Sequence, residues 1–412
     1  MQDAAYGTLL REARRTIHAR IVDAFESRFA DIVSNQPEFV ARHCTEAGQI
    51  EKAASLWGRA GRRSFARSAL WEAAEQLSRT LAQIASLPGS PTLRREQIQL
   101  QLDLSNALIH TKGHASPETK ASFDRARSLI EQAAALGEAL DDPLVAYSVL
   151  YGFWVANRMA FNGPVALELA AQFQTLAEAE GATVPLMLGH LLAGISLVVT
   201  GDLATGKSEL DRAIALYDPV EHRALATRFG HDVRVSALAW RAYASWRLGD
   251  LDTSLTERQS AVAGAREIGH AATLMFALSH VSLTLLHAGR RDEAAPLIDE
   301  LIELADGKGT LYWKSYGLLL RGWLVALKGE SVQAVEIIKS AMADMRSTGA
   351  TGYAPWYLSV LASAHAELGQ FDEARRCMSE ALSTMAATGE RWCEADVHRR
   401  AGEISQLAGR LA

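Results

Sequence analysis

Five glycines set the frame of this 412-residue chain: Gly201, Gly249, Gly289, Gly329 and Gly369, the last four separated by 40 residues each. The segments around them superimpose. Five residues after each stands a small side chain, Gly206, Ser254, Ala294, Ala334 and Ala374. Seven before it stand Gly194, Ala242, Ser282, Gly322 and Ala362, and twelve after it Ala213, Ala261, Leu301, Ala341 and Ala381. Near the N-terminus Gly48 repeats the pattern with Ala41, Ala53 and Ala60. A fixed period of this size is the signature of a solenoid.

The spacing predicts a stack of helical hairpins. Each unit is an apolar-periodic helix, a glycine turn and a second apolar-periodic helix. Glycine suits the turn because the chain leaves the first helix there through a left-handed residue. The small residues let the two helices of a hairpin, and neighbouring hairpins, approach closely. No unit buries its apolar face alone, so neighbours share one continuous core. Within that scheme Gly206→Ala is expected to be tolerated, since Ala fills the same place in three later units.

Composition narrows the function classes. The chain is 49% hydrophobic and 22% charged with 10 prolines, an ordinary globular profile. A net charge of −6 gives no basic footprint for nucleic acid. Cys44, Cys377 and Cys393 lie far apart without a CxxC, which suits a reducing cytoplasm. The most apolar stretch, Val184 to Val199, is broken by His190 and is expected to be too short for a bilayer. We therefore expect no membrane contact and a cytoplasmic protein.

Four segments follow from the pattern: 1–34, helical but outside the repeat; 35–92, the first repeats, ending at the loop Ser86-Leu-Pro-Gly-Ser-Pro-Thr92; 93–188, degenerate repeats; and 189–412, regular repeats. In the first, Leu9, Leu10, Ile17, Ile21, Ala24 and Phe25 follow helical spacing. An insertion, Tyr217 to Asp232, separates the Gly201 and Gly249 units and concentrates His222, Arg223, Arg228, His231 and Asp232. Such a break maps to a functional loop or to a longer connection.

Gly201-Asp-Leu-Ala-Thr-Gly206-Lys207-Ser208 matches the phosphate-binding loop GxxxxGK[ST] letter for letter. The repeat explains it without phosphate: Gly201 is the turn glycine and Gly206 the small packing residue. Lys207 and Ser208 then fall inside a helix, with no βαβ pattern and no acidic strand end to hold magnesium. We read the motif as a false match, and expect no cofactor, no metal site and no catalytic residue.

Helical spacing places Tyr243, Trp246, Arg247, Phe276, His287, Tyr316, Trp323 and Trp356 on the inner, concave face. Aromatics with Arg are what a recognition surface uses; the same side chains also suit packing between helices.

The small residue, turn glycine and paired alanines resemble the tetratricopeptide repeat, whose usual period is 34. The resemblance implies an all-α, right-handed α-solenoid of antiparallel helix pairs, here with longer helices. Further strings are similar to the C-terminal region of bacterial proteins that join a class III adenylate or guanylate cyclase, a STAND/AAA-type ATPase and a helical-repeat tail. They are Asp3 to Arg11, His43-Cys-Thr-Glu-Ala-Gly48, Thr111 to Glu118, Tyr217-Asp-Pro219 with His222-Arg223, Arg321-Gly-Trp323 and Gly389-Glu-Arg-Trp-Cys-Glu-Ala395. In such proteins the first string closes the ATPase module, so residues 1–34 read as its helical remnant, with cyclase and ATPase modules upstream. The resemblance implies a non-enzymatic interaction and regulatory module that binds a protein or small effector on its concave face and gates an ATPase or cyclase in cis or in trans. The alternatives are the effector-sensing arm of an ATPase-type transcription regulator and a nucleotide-binding protein using Gly201 to Ser208.

Overall fold

The structure is a computed structural model describing residues 11–67, 69–113, 116–140 and 142–411. Most of the Asp3 to Arg11 string, with Leu9 and Leu10, and His114 of the Thr111 to Glu118 string, lie outside the described residues. Every regular element among the described residues is helical. The chain forms two compact units, 1–111 with 118–149, and 112–117 with 150–412.

The first unit holds α1 (Arg11–Arg28), α2 (Ala30–Asn35), α3 (Pro37–Ala47), α4 (Ile50–Ala66), α5 (Leu70–Ile84), α6 (Pro91–Lys112) and α7 (Pro117–Ala135). Small residues let α4 and α5 pack closely: a Cβ on Gly61 would stand 2.7 Å from Leu77 Cγ. Ala54, Ala73, Leu77, Ile84, Leu100 and Ala107 form the core beneath them. Helix α8 (Leu144–Met159) runs on into the second unit.

In the second unit follow α9 (Gly163–Glu180), α10 (Thr183–Thr200) and α11 (Leu203–Ala215), then the short α12 (Pro219–His222) and α13 (Leu225–Phe229). Four hairpins come next: α14 (Val233–Arg247) with α15 (Leu251–Ile268), α16 (Ala271–His287) with α17 (Arg291–Gly307), α18 (Leu311–Ala326) with α19 (Ser331–Ser347), and α20 (Ala354–Glu367) with α21 (Phe371–Thr388). Helix α22 (Glu394–Leu411) closes the chain. The first helix of each pair is apolar almost all round and buried accordingly. In α16 residues 272, 273 and 275 to 286 are all buried. The second helices bury one face; α17 buries only Ala294, Ile298, Leu301 and Ala305.

The glycines behave as the period requires. Gly289 has φ +75°, its N–H bonds Leu286 O at 3.1 Å, and Arg290 N–H bonds Leu285 O at 2.9 Å, a Schellman-type ending. A second glycine register was not read from the sequence. Gly269, Gly309, Gly349 and Gly389, also 40 apart, have positive φ at the opposite end of each pair. The chain therefore reverses every 20 residues, and the 40-residue period is two such steps.

One sequence expectation needs correction. Helix α10 has 18 residues and is apolar enough, by length and composition, to cross a membrane. It is longer than the Val184 to Val199 stretch because Thr183 and Thr200 extend it. Most of it is buried, against α9, α11 and α14.

Gly289→Val is expected to destabilise the protein by about 1 kcal/mol or more. No atom lies within 4 Å of the added Cβ, so backbone strain alone is at work. Gly289→Ala should then destabilise by a similar amount, read as a lower urea midpoint at unchanged m-value; a neutral Ala variant would refute the turn assignment.

Candidate functional site

The first helices of the hairpins put an aromatic or His side chain on one face at nearly every turn. Trp240, Tyr243, Phe276, His280, His287, Tyr312, Trp313, Tyr316, Trp323, Trp356 and Tyr357 meet in ring contacts centred 4.0 to 6.4 Å apart. Two connectors fill what would have been an open face. The α19–α20 connector inserts Tyr353 and the α21–α22 connector inserts Trp392, whose rings centre 5.7 Å apart.

Backbone bonds hold the connectors in place. Thr351 and Gly352 N–H donate to Met159 O at 3.0 and 2.9 Å. Arg391 and Trp392 N–H donate to Val199 O at 3.0 and 3.2 Å. Thr351 Oγ1 adds a bond to Ala160 O at 2.7 Å, and Tyr243 OH one to Trp392 O at 3.0 Å. Tyr353 sits at φ +67°, an uncommon place for a non-glycine residue.

Polar groups converge on Tyr353. Arg158 Nη2 donates to its hydroxyl at 3.0 Å, and His280 Nε2 lies 3.2 Å from the same oxygen. Tyr353 N–H donates to Glu390 Oε1 at 3.1 Å, and Trp392 Nε1 donates to that oxygen at 2.5 Å. Arg158 and Glu390 are 2% and 0% exposed. Arg158 Nε and Nη1, Glu390 Oε2, Tyr357 OH and His287 Nε2 have no hydrogen-bond partner. Burial dominates the titrations. It pushes the Glu390 carboxyl up to about 7, with the Trp392 N–H opposing, and His280 down to about 3.

The concave-face expectation is thereby corrected. Tyr243, Phe276, Tyr316, Trp323 and Trp356 are buried, as is the His287 side chain. They meet in ring contacts within a core closed by Tyr353 and Trp392, not on an open surface. Trp246 and Arg247 are half-buried at its edge, where Arg247 Nη1 pairs with Asp396 Oδ2 at 2.7 Å. Arg158, His280, Tyr353, Glu390 and Trp392 were missed. Tyr353 stands four residues after Gly349 and Glu390 directly after Gly389, and that second register is the signal that could have found them.

The insertion residues hold the insertion itself. Asp232 is buried; it accepts from Val235 N–H at 2.9 Å and Tyr217 OH at 2.5 Å, while its own N–H donates to Thr273 Oγ1. His222 is buried and accepts from Asp218 N–H, and Arg223 pairs with Glu267 at 2.5 Å. His231 packs on Phe276 and Trp313, and Arg228 lies over Phe229.

The GxxxxGK[ST] segment is a helix start. Gly201 ends α10 at φ +102°, and Asp202 caps α11 by accepting from Thr205 N–H at 3.1 Å. Gly206 N–H bonds Asp202 O, and Lys207 faces Asp211 at 3.6 Å. A carboxylate thus occupies the helix N-terminus where phosphate would sit. The expectation that Gly206→Ala is tolerated does not hold. A Cβ there would lie 2.7 Å from Val198 Cγ2 and 2.9 Å from both Gly194 O and Val198 N. With glycine on both sides, the backbones approach more closely than alanine permits.

In the first unit a pocket of about 540 Å³ is lined by His18, Arg42, His43, Trp57 and Arg79 among others. The Nδ1 atoms of His18 and His43 are 2.7 Å apart, and burial together with His18 lowers the His43 pKa. No group of three or more His, Cys, Asp or Glu side chains able to hold a metal occurs among the described residues.

Comparisons with known proteins agree with this architecture. The tetratricopeptide repeat family model matches residues 355–380, covering α20 and half of α21. An uncharacterized protein of Rhizobium meliloti (strain 1021) is 24% identical over 99% of this chain and 39% of its own length. The chain thus spans well under half of that curated relative. A Rap protein complexed with Competence and Sporulation Factor superimposes with a TM-score of 0.55 at 12% identity, covering 87% of this chain and 96% of that one. At that identity the likeness speaks for the fold alone. A STAND protein with a tetratricopeptide repeat sensor from Pyrococcus horikoshii reaches only 0.37 at 13% identity, over 83% of this chain and 48% of that one, too loose to carry an argument. The chain is an all-α repeat protein of tetratricopeptide-like fold.

Two outcomes follow. Gly206→Ala should destabilise by about 1–3 kcal/mol, and Mg-ATP should leave the wild-type melting temperature unchanged; a nucleotide-dependent rise lost in the variant would restore the phosphate-loop reading. Glu390 binds its proton more tightly folded than unfolded. Its contribution is therefore full below the unfolded value near 4.5 and is lost as pH climbs to about 7. Glu390→Gln should remove a stability loss on the order of 3 kcal/mol or less between pH 5 and pH 8, and should melt above wild type at pH 8. Parallel pH profiles for the two proteins would rule this out.

Proposed function

We propose that this chain is a non-catalytic interaction and regulatory module of a bacterial signalling protein, and that its second unit receives a protein segment or small effector at the aromatic interior. The observation that carries this reading is the interior itself. Aromatic rings and buried, unpartnered polar atoms converge there beneath two connectors held mainly by backbone hydrogen bonds. Aromatics with Arg suit recognition, and unsatisfied buried polar groups favour a partner that completes them. In the described form Tyr353 and Trp392 occupy the place a partner would take, so binding requires the connectors to lift.

The Rap likeness supports this reading at the level of architecture, since that protein is complexed with Competence and Sporulation Factor. The greater length of the Rhizobium meliloti relative accords with a partner module, of the ATPase or cyclase kind, carried on the same polypeptide. We place the module in the cytoplasm, where three buried free thiols suit a reducing environment.

The test is a redox latch. Thr351→Cys with Ala160→Cys should tie the α19–α20 connector to the end of α8 when oxidised. A photo-crosslinking residue at position 246, on the interior edge, should give a discrete adduct in native-host cells when the latch is reduced and none when it is oxidised. The same probe at the exposed Val332 should give none in either state. Adducts indifferent to the latch would sink the proposal.

A further inference from the structure

The second helix of each hairpin carries a core side chain nine residues after its turn glycine. Leu210, Ile298, Ile338 and Met378 occupy that place, and all are buried. In the hairpin of α14 and α15 the same position is Arg258, which is only 5% exposed. Its Nε donates to Ser254 O at 3.2 Å, and its Nη1 has no hydrogen-bond partner. No carboxylate of a described residue forms an ion pair with it. Glu293, the acidic neighbour that acts on it, is bonded to Arg290 Nε. Burial, and then Arg290, push the Arg258 pKa down. A charge with no counterion in a core position is a cost that a structural role does not explain.

Arg258 lines a groove of about 520 Å³ between α15 and α17. Its floor is Val281 and Leu285 of α16, and its walls include Leu255, Val262, Pro296 and Leu297. At 3.6 residues per turn, Val281 and Leu285 lie on the side of α16 opposite Phe276, His280 and His287. The groove is therefore separate from the aromatic interior. Its volume falls in the range of small-molecule sites. Its lining combines these apolar walls with Arg258 and Arg266 and with Asp292 and Glu293, of which Arg266 is paired with Glu300 and Glu293 with Arg290.

We propose that this groove binds an apolar ligand ending in a carboxylate, of the size and class of a medium-chain fatty acid, with Arg258 as the counterion of the carboxylate. The ligand supplies the ion pair that neither Asp292 nor Glu293 of the lining makes with Arg258, while its chain covers the apolar walls. Occupancy then stabilises the folded state in proportion to the logarithm of ligand concentration. The inference stands apart from the reading of the interior.

The probe is decanoate at neutral pH, below its micelle concentration, titrated calorimetrically into the intact protein and followed by melting temperature. Decanoate should bind saturably and raise the melting temperature, with decanol at least ten-fold weaker. Arg258→Met takes the side chain that Met378 shows is accommodated in register. It should melt above unliganded wild type and bind decanoate at least ten-fold more weakly, with decanol affinity unchanged. Ala263→Trp, at an exposed wall position, keeps the test sound should the core variant fail to fold, and it should abolish both bindings. Absence of saturable decanoate binding, equal affinity for decanol, or undiminished binding by Arg258→Met would each overturn the proposal. So would a concentration-dependent dimer that Ala263→Trp dissolves, which would make the groove an interface between copies.

Discussion

Two helices of a hairpin can lie against one another only where neither carries a large side chain at the crossing. Every hairpin in the regular part of this chain meets that condition at one pair, seven residues before and five after the turn glycine. The pairs are Gly194 with Gly206, Ala242 with Ser254, Ser282 with Ala294, Gly322 with Ala334, and Ala362 with Ala374. The contact is close enough to involve backbone: Ser254 Oγ reaches Ala242 O at 2.8 Å, and the glycine pair leaves no room for a Cβ. Once the crossing is set, the first helices have apolar neighbours on all sides and the second helices keep one face in water. The aromatic face of the first helices, the outer groove and the two connector registers all follow from that division.

The same division creates a difficulty that the connectors resolve. Aromatic faces brought side by side along successive first helices would expose a large apolar patch, which soluble domains rarely leave uncovered. The α19–α20 and α21–α22 connectors turn inward and cover it with Tyr353 and Trp392. Because they arrive from the end of the unit and bond Met159 and Val199 near its beginning, contacts across as many as 195 residues link its two ends. Bringing Glu390 in toward Arg158 of α8 buries charge that no direct ion pair neutralises. Glu390 answers by holding its proton up to about pH 7. Closure and partial dissatisfaction therefore occur in the same few residues, the combination expected of an element that is stable yet displaceable.

How far the sequence could be read depended on whether a feature was periodic. Glycines in register with small residues give hairpins, their turns and the buried first helices, because each position has one local reason to recur. The glycine register at 269, 309, 349 and 389 is equally periodic, but it lacks the recurring small residues, seven before and five after, that mark the first. The inward connectors could not be read. Tyr353 and Trp392 reach residues nearly two hundred positions away, and periodicity says nothing about what a solenoid's late connectors touch. For the same reason Tyr243, Tyr316 and Trp356 were expected on an open face and are instead buried. At Gly206 the local rule itself failed. Alanine is acceptable at that register only when its partner across the crossing has already held the helices apart, and Gly194 has not.

A repeat architecture also explains how a residue such as Arg258 can persist. In a single compact core, a charge in place of Ile or Leu perturbs packing throughout, because every core residue shares neighbours with the rest. In a solenoid each unit contacts mainly the next, so the penalty stays between α15, α16 and α17 while Leu210, Ile298, Ile338 and Met378 keep the other units intact. One unit can then depart from the pattern for a purpose of its own. The departure is visible because four other copies show what packing alone would have chosen at that position.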